Sequence, residues 1–243
     1  MPIFRKRADR IRGVAGSLEG TTALVMDGTC GAGPGITKVI AEAGAAVFLA
    51  GPHSPTIDVQ LHTLANSPIE VTPIVVDART DRPWDQFLGS IDRPIDIAIL
   101  NPTTTDLGQD EQLGPQGTVA LAEAVAGQMQ DRGHPGSIVF VTGIRSAEPQ
   151  SSAVAYLNAE MQRLARRLAA NAIRVNAVAP GPIGTNRRGN PLSSRATPLG
   201  HVTLHPVEVG KAAWFLVNDD LSSAITGSTL KTDRGASLLA PEW

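Results

Sequence analysis

Few residues in this chain can do chemistry, and their spacing narrows what that chemistry could be. Gly28-Thr29-Cys30-Gly31-Ala32-Gly33 follows an apolar run and precedes a helical pattern. Glycines placed there let backbone N–H groups approach a pyrophosphate at a helix N-terminus, although a tight strand-to-helix turn without a ligand uses the same residues. Cys30 at the helix start has the setting of a thiol with a lowered pKa, and equally that of a small loop residue. His201 and His205 are four apart, but Pro206 follows and the segment reads as loop, so no metal site is expected. Arg163, Arg166 and Arg167 read as a solvated helix face.

The elements that must position these residues alternate. Thr21–Asp27, Ala45–Ala50, Val71–Asp77, Ile95–Leu100, Ser137–Thr142, Ile173–Val178 and Thr229–Thr232 are short apolar runs predicted to be strands. Helical patterns over Pro34–Gly44, Ile57–Ala65, Gly117–Gln130, Ala153–Ala170 and Val207–Val217 separate most of them. Strands apolar on both faces with helices between them predict a parallel sheet of about seven strands covered on both sides, joined by right-handed crossovers. This is a Rossmann-like, doubly wound α/β domain. The longest irregular stretch, Gly181–Pro206, falls beyond the carboxyl end of the sixth strand, where lids over substrates occur in such folds.

Bulk properties exclude several classes. The net charge of -2 gives no global pull toward nucleic acid or an anionic surface. A local exception is the cluster Arg5, Lys6, Arg7, Arg10 and Arg12, so residues 1–20 are taken as a basic extension and 21–243 as the domain. Cys30 is the one cysteine, which rules out an internal disulfide and suits a reducing compartment. With no apolar run long enough for a membrane span and no leader-like segment, the cytoplasm is expected.

The chain resembles the short-chain dehydrogenase/reductase family. Ile173-Arg174-Val175-Asn176-Ala177-Val178-Ala179-Pro180-Gly181-Pro182-Ile183 is nearly family wording, as are Pro198-Leu199-Gly200, His205-Pro206-Val207-Glu208-Val209 and Ile225-Thr226-Gly227. Asp233-Arg234-Gly235 carries Arg234 where the family usually has Gly. The family's phosphate turn, T-G-x-x-x-G-x-G, aligns with Met26-Asp27-Gly28-Thr29-Cys30-Gly31-Ala32-Gly33. Asp27 thus replaces the glycine that admits the cofactor, a carboxylate beside a phosphate. After the second strand, Gly51-Pro52-His53 lacks the acidic partner of NAD and the basic partner of NADP, unless His53 or Ser54 substitutes. The resemblance implies Gly28, Gly31, Gly33, Asp77, Asn101 and Ile183 as cofactor-binding positions. Asp77 matches the adenine-side Asp, and Asn101 matches one residue of N-N-A-G. With Asp27 present, these positions are expected to be vestigial, and neither NAD nor NADP is expected to bind tightly.

The resemblance also implies a catalytic Tyr, a Lys four residues later that lowers its pKa, a Ser that orients the carbonyl and an Asn that completes a proton relay. The chain has one Tyr, Tyr156, and four Lys: Lys6, Lys38, Lys211 and Lys231. No register puts a Lys in the Ala153–Ala170 helix. Counting forward from the fifth strand, Gly143 takes the Ser position, Tyr156 the Tyr position and Glu160 the Lys position, with Gly114 near the Asn position. Counting back from Ile173, the Tyr position is Gln150 and the Lys position Val154. The counts differ by six residues, so a deletion lies in this segment. Paired with Tyr156, Glu160 would raise the phenol's pKa rather than lower it. Thr142 and Ser146 are the alternatives for the Ser.

Three functions follow from this resemblance. One is a catalytically incomplete subunit, structural or regulatory, of an active NAD-dependent sister dehydrogenase of hydroxyacyl or ketoacyl type, with acyl-CoA thioesters as possible substrates. The second is an active NAD(P)-dependent oxidoreductase with substitute residues. The third is cofactor-independent chemistry of the halohydrin dehalogenase kind, whose Ser-Tyr-Arg set Gly143 and Glu160 do not match. A homo- or hetero-oligomer is expected through the Tyr156 helix and the C-terminal Leu238-Leu239-Ala240-Pro241-Glu242-Trp243 segment, with no nucleic acid or membrane partner.

Overall fold

In the computed structural model, residues 16–27, 31–51, 70–76, 83–102, 114–143, 150–186 and 189–239 are described. Seven strands form one parallel sheet in the order β3-β2-β1-β4-β5-β6-β7. They are β1 (Thr22–Met26), β2 (Ala46–Gly51), β3 (Val71–Val75), β4 (Ile97–Leu100), β5 (Gly136–Val141), β6 (Ile173–Pro180) and β7 (Thr229–Thr232). The reversal of strand order between β3 and β4 is the doubly wound topology that the alternation predicts.

The period of two along each strand divides the core. Leu24, Met26, Ala98, Leu100, Ile138 and Phe140 pack on one face of the sheet, and Ala23, Val25, Ile97, Ile99, Val139 and Val141 on the other. Each strand is therefore apolar throughout, because helices cover both sides. On the first face lie α2 (Pro83–Gly89), α3 (Pro115–Asp131) and α4 (Gln150–Leu168); on the second lie α1 (Gly33–Glu42) and α5 (Pro206–Val217). A short α6 (Asp219–Ser222) follows, capped by Asn218, whose side-chain oxygen accepts the Asp220 N–H at 3.0 Å. Pro73 is tolerated because β3 is an edge strand, where a missing N–H costs no ladder bond on the open side.

Three features depart from expectation. α2 is too short to stand out in the sequence, and it is held by Trp84 and Phe87, whose rings meet edge to face at 6.3 Å. Residues 16–20, assigned by charge to the extension, belong to the domain. Leu18 is buried and its N–H donates to the Ala43 carbonyl at 2.8 Å, while the Trp214 indole donates to the Ser17 hydroxyl at 2.9 Å. The stretch between β6 and α5 is not wholly irregular, since bridges join Ile183 to Leu204, Thr185 to Pro191 and Ser193 to Val202. The helix expected over Ile57–Ala65 lies outside the described residues, as do residues 1–15 and Trp243.

Candidate functional site

The carboxyl ends of β1, β4, β5 and β6 are where this topology places ligands. At the exit of β1, Asp27 is buried and adopts φ 51°. Its N–H donates to the Ala50 carbonyl at 2.7 Å, and its own carbonyl accepts from the Asn101 side-chain amide at 2.9 Å. The Asn101 N–H in turn donates to the Met26 carbonyl at 3.3 Å. Asn101 thus fastens the exits of β1 and β4 together, and its amide is committed to backbone. The left-handed conformation is the one glycine adopts freely. Asp reaches it at a cost of about 1 kcal/mol.

Gly31 also has a positive φ, 55°, and α1 starts at Gly33 without a side-chain cap. Gly28 and Asp77 lie outside the described residues, as do Cys30, His53, Ser54 and Ser146. Ile183 is partly buried, packing against the α1/α5 face of the core and bridging to Leu204.

At the exit of β5, Gly143 has φ 79°, and a Cβ built there would lie 4.0 Å from Cγ2 of Val154. A serine at this position would need a strained backbone. The Thr142 hydroxyl donates within its own turn, to the Gly143 carbonyl at 3.4 Å. The helix α4 runs unbroken from Gln150 to Leu168 and ends a 3-10 turn before β6. Counted back from Ile173 along this helix, the Tyr position is Gln150 and the Lys position Val154. The six-residue shortfall then falls between Gly143 and Gln150. In this register Gln150 opens the helix at the Tyr position, and buried Val154, one turn on, takes the Lys position against Gly143.

Tyr156 is two residues beyond Val154, about 200° further round the helix. It is 36% exposed. Glu160, four residues on, is held by the Arg163 guanidinium at 2.7 Å, and Arg163 also bonds Glu123 of α3 at 2.6 Å. The bond to Glu123, then that to Glu160, raises the Arg163 pKa, so this cation stays charged. Tyr156 and Glu160 therefore sit on the outer face of α4, and the structure does not bring either to Gly143. Gly114 is the N-cap of α3, where its carbonyl accepts the Thr118 N–H and hydroxyl, both at 2.9 Å. His205 caps α5, its Nδ1 accepting the Val207 N–H at 3.2 Å, and His201 is exposed. Among the described residues no group of three or more His, Cys, Asp or Glu could hold a metal ion, and no helix is long and apolar enough to cross a membrane.

This fold, with its carboxyl-edge site, is a Rossmann-like, doubly wound α/β domain. The family model described as Enoyl-(Acyl carrier protein) reductase matches residues 28–237. The oxidoreductase UcpA of Escherichia coli K12 is 30% identical, with 92% of this chain and 97% of that protein covered. The 7alpha-hydroxysteroid dehydrogenase of Clostridium sardiniense is 27% identical over 93% of this chain and 97% of that one. The crystal structure of a short-chain type dehydrogenase/reductase from Mycobacterium marinum superposes with a TM-score of 0.76 at 28% identity, covering 90% of this chain and 96% of that chain. The chain belongs to the short-chain dehydrogenase/reductase family.

Proposed function

We propose that this chain is a catalytically incomplete member of its family, serving as a structural or regulatory subunit of an active NAD-dependent sister dehydrogenase. The observation that carries this reading is the pairing of Gly143 with Val154. Where the family's chemistry needs a hydroxyl beside an ammonium, this pair supplies a bare backbone and an isopropyl group. Neither can donate a proton, lower the pKa of a phenol or hold a ribose hydroxyl. None of the four lysines is in α4: Lys38 lies in α1, Lys211 in α5 and Lys231 in β7, and Lys6 is outside the described residues.

The cofactor positions point the same way. A dinucleotide's pyrophosphate would approach the β1 exit, where Asp27 is buried and its carboxylate poorly screened. We infer that neither NAD nor NADP is held tightly, and no step is derived through either. In this role the chain's own residues build surface. The outer face of α3 and α4 carries the linked charges Glu123, Glu160, Arg163 and Arg167. Beyond β7, Leu238 is 82% and Leu239 58% exposed. Such faces suit contacts with a second chain of the same fold. The partner's substrate class, hydroxyacyl or ketoacyl thioesters among them, rests on the resemblance alone.

The second reading, an active oxidoreductase with substitute residues, is favoured by the names of the relatives. Co-expression with a complete sister enzyme tests the first. Light scattering should show a complex or homo-oligomer, and the sister should lose stability or activity when this chain is omitted. A monomer at micromolar concentration, with the sister unaffected, would refute it.

A further inference from the structure

The segment between β6 and α5 occupies the place where members of such folds carry a mobile cover. Its tip, residues 197–201, is tightly turned: Gly200 N–H donates to the Pro198 carbonyl and His201 N–H to Thr197, each at 3.0 Å. Its base is fastened by bonds that include the Gly184 N–H to the Leu204 carbonyl at 3.1 Å. The Leu204 N–H donates to the Pro182 carbonyl at 2.8 Å, and the Thr203 hydroxyl donates to the Gly184 carbonyl at 2.6 Å.

One residue outside the segment reaches both the tip and the following helix. Arg234, just past β7, accepts the Leu199 N–H on its carbonyl at 3.0 Å and donates from its guanidinium to the Leu199 carbonyl at 3.3 Å. Its other amino group bonds Glu208 of α5 at 2.6 Å, with the Arg234 side chain 10% exposed. The second oxygen of Glu208 accepts the His205 N–H at 2.8 Å, so the same carboxylate secures the end of the segment. Arg234 does this from φ 52°, a left-handed backbone that glycine would occupy without strain. A residue held in a disfavoured conformation needs a compensating interaction, and here the compensation is the grip on tip and helix.

We propose that Arg234 is a lock: it ties the tip of the 189–205 segment to β7 and α5 and turns a mobile cover into a fixed strap. The proposal does not depend on whether the domain is catalytic, because it concerns how this segment moves. It also has a sign that strain alone would reverse. If Arg234 only tolerated its backbone conformation, R234G would relieve strain and leave the segment as tight as before, with an equal or higher Tm.

The test uses hydrogen exchange and tryptic cleavage of the full chain as wild type, R234G and E208Q. The expected result in R234G is exchange about tenfold faster over residues 192–203, the worth of one or two charge-assisted hydrogen bonds. Cleavage after Arg195, in the exposed turn before the tip, should accelerate to match. Amides of β1, β4 and β5 should stay at wild-type rates. E208Q should loosen the same residues to a smaller extent, since Gln keeps a bond to His205 but removes the charge facing Arg234. E208Q also provides the answer if R234G fails to fold. Wild-type exchange over 192–203 in the variants that fold overturns the lock. So does acceleration spread evenly over the sheet, which reports general destabilisation instead.

Discussion

Replacing Asp27 separates two costs that the β1 exit imposes. A carboxylate about 5 Å from a phosphate, at an effective dielectric of about 20, opposes binding by roughly 3 kcal/mol. That corresponds to about a 100-fold weaker dinucleotide. The left-handed φ of 51° adds a second term, about 1 kcal/mol of backbone strain in the folded protein itself, which glycine removes whether or not ligand is present. Asp27→Gly should therefore raise both the Tm and the affinity for NAD(H) or NADP(H). Asp27→Asn should gain most of the affinity and little of the Tm, because Asn removes the charge but keeps the side chain. Calorimetric titration of the three proteins with each dinucleotide gives the affinities, and thermal unfolding without ligand gives the strain. The wild type should show no micromolar binding. A wild-type Kd in the micromolar range, or variants that bind no better than the wild type, would refute the assignment of Asp27 as the barrier.

Gly35→Ala should be strongly destabilising. A Cβ on Gly35 would overlap the Pro206 backbone where α1 crosses α5, and the overpacking should cost about 2–3 kcal/mol, a Tm lower by about 5–10 °C. Asp233 sets an acid limit. Burial pushes its carboxyl up, but hydrogen bonds from Ser237 and Gly235 and the nearby Lys231 outweigh this and hold it below the ordinary 3.8. A carboxyl with a depressed folded pKa adds stability above its unfolded value and loses it as pH falls through the folded one. The stability lost in Asp233→Asn, measured by denaturant titration, should be constant above about pH 5 and shrink below about pH 4. Tyr156→Phe should change stability by less than about 0.5 kcal/mol, since the ring lies on the exposed face of α4. The isolated wild type should show no carbonyl reductase turnover, and turnover that vanished in Tyr156→Phe would contradict the register given to α4.

The sheet was legible because its strands are apolar on both faces, which leaves few alternatives to helices on each side. All seven strands fall within about two residues of the runs that mark them. The α4 register was not legible, for a physical reason. A single sequence fixes distances along the chain, but the six-residue shortfall has no local marker, and α4 begins at Gln150 rather than Ala153. Val154 beside Gly143 favours the count back from Ile173. Position 27 was legible as a departure from family wording, but its left-handed backbone required coordinates. Arg234 was visible in the sequence only as a non-glycine at a glycine position, and its two bonded partners come from segments 26 and 35 residues away.

The C-terminal third resembles the family most closely, and the structure explains that likeness by packing rather than by chemistry. Arg174, buried in β6, donates to Asp219 at 2.7 Å, to the Leu216 carbonyl at 2.6 Å and to the Ser222 hydroxyl at 3.2 Å, joining the sheet to α5 and α6. Asn176, fully buried, donates to the Ile225 carbonyl at 2.8 Å and accepts the Ser228 N–H at 3.1 Å, which positions the turn into β7. Gly181 is so close to Asp233 that a Cβ would lie 2.8 Å from its Cα. Unmade polar bonds at such buried points cost about 1–3 kcal/mol each, enough to hold these residues in place with no reaction to serve. The family wording of β6 and the segments after it therefore reports a fold that has been kept. The proposed loss of chemistry rests instead on Gly143, Val154 and Asp27, where the chain departs from the family's wording.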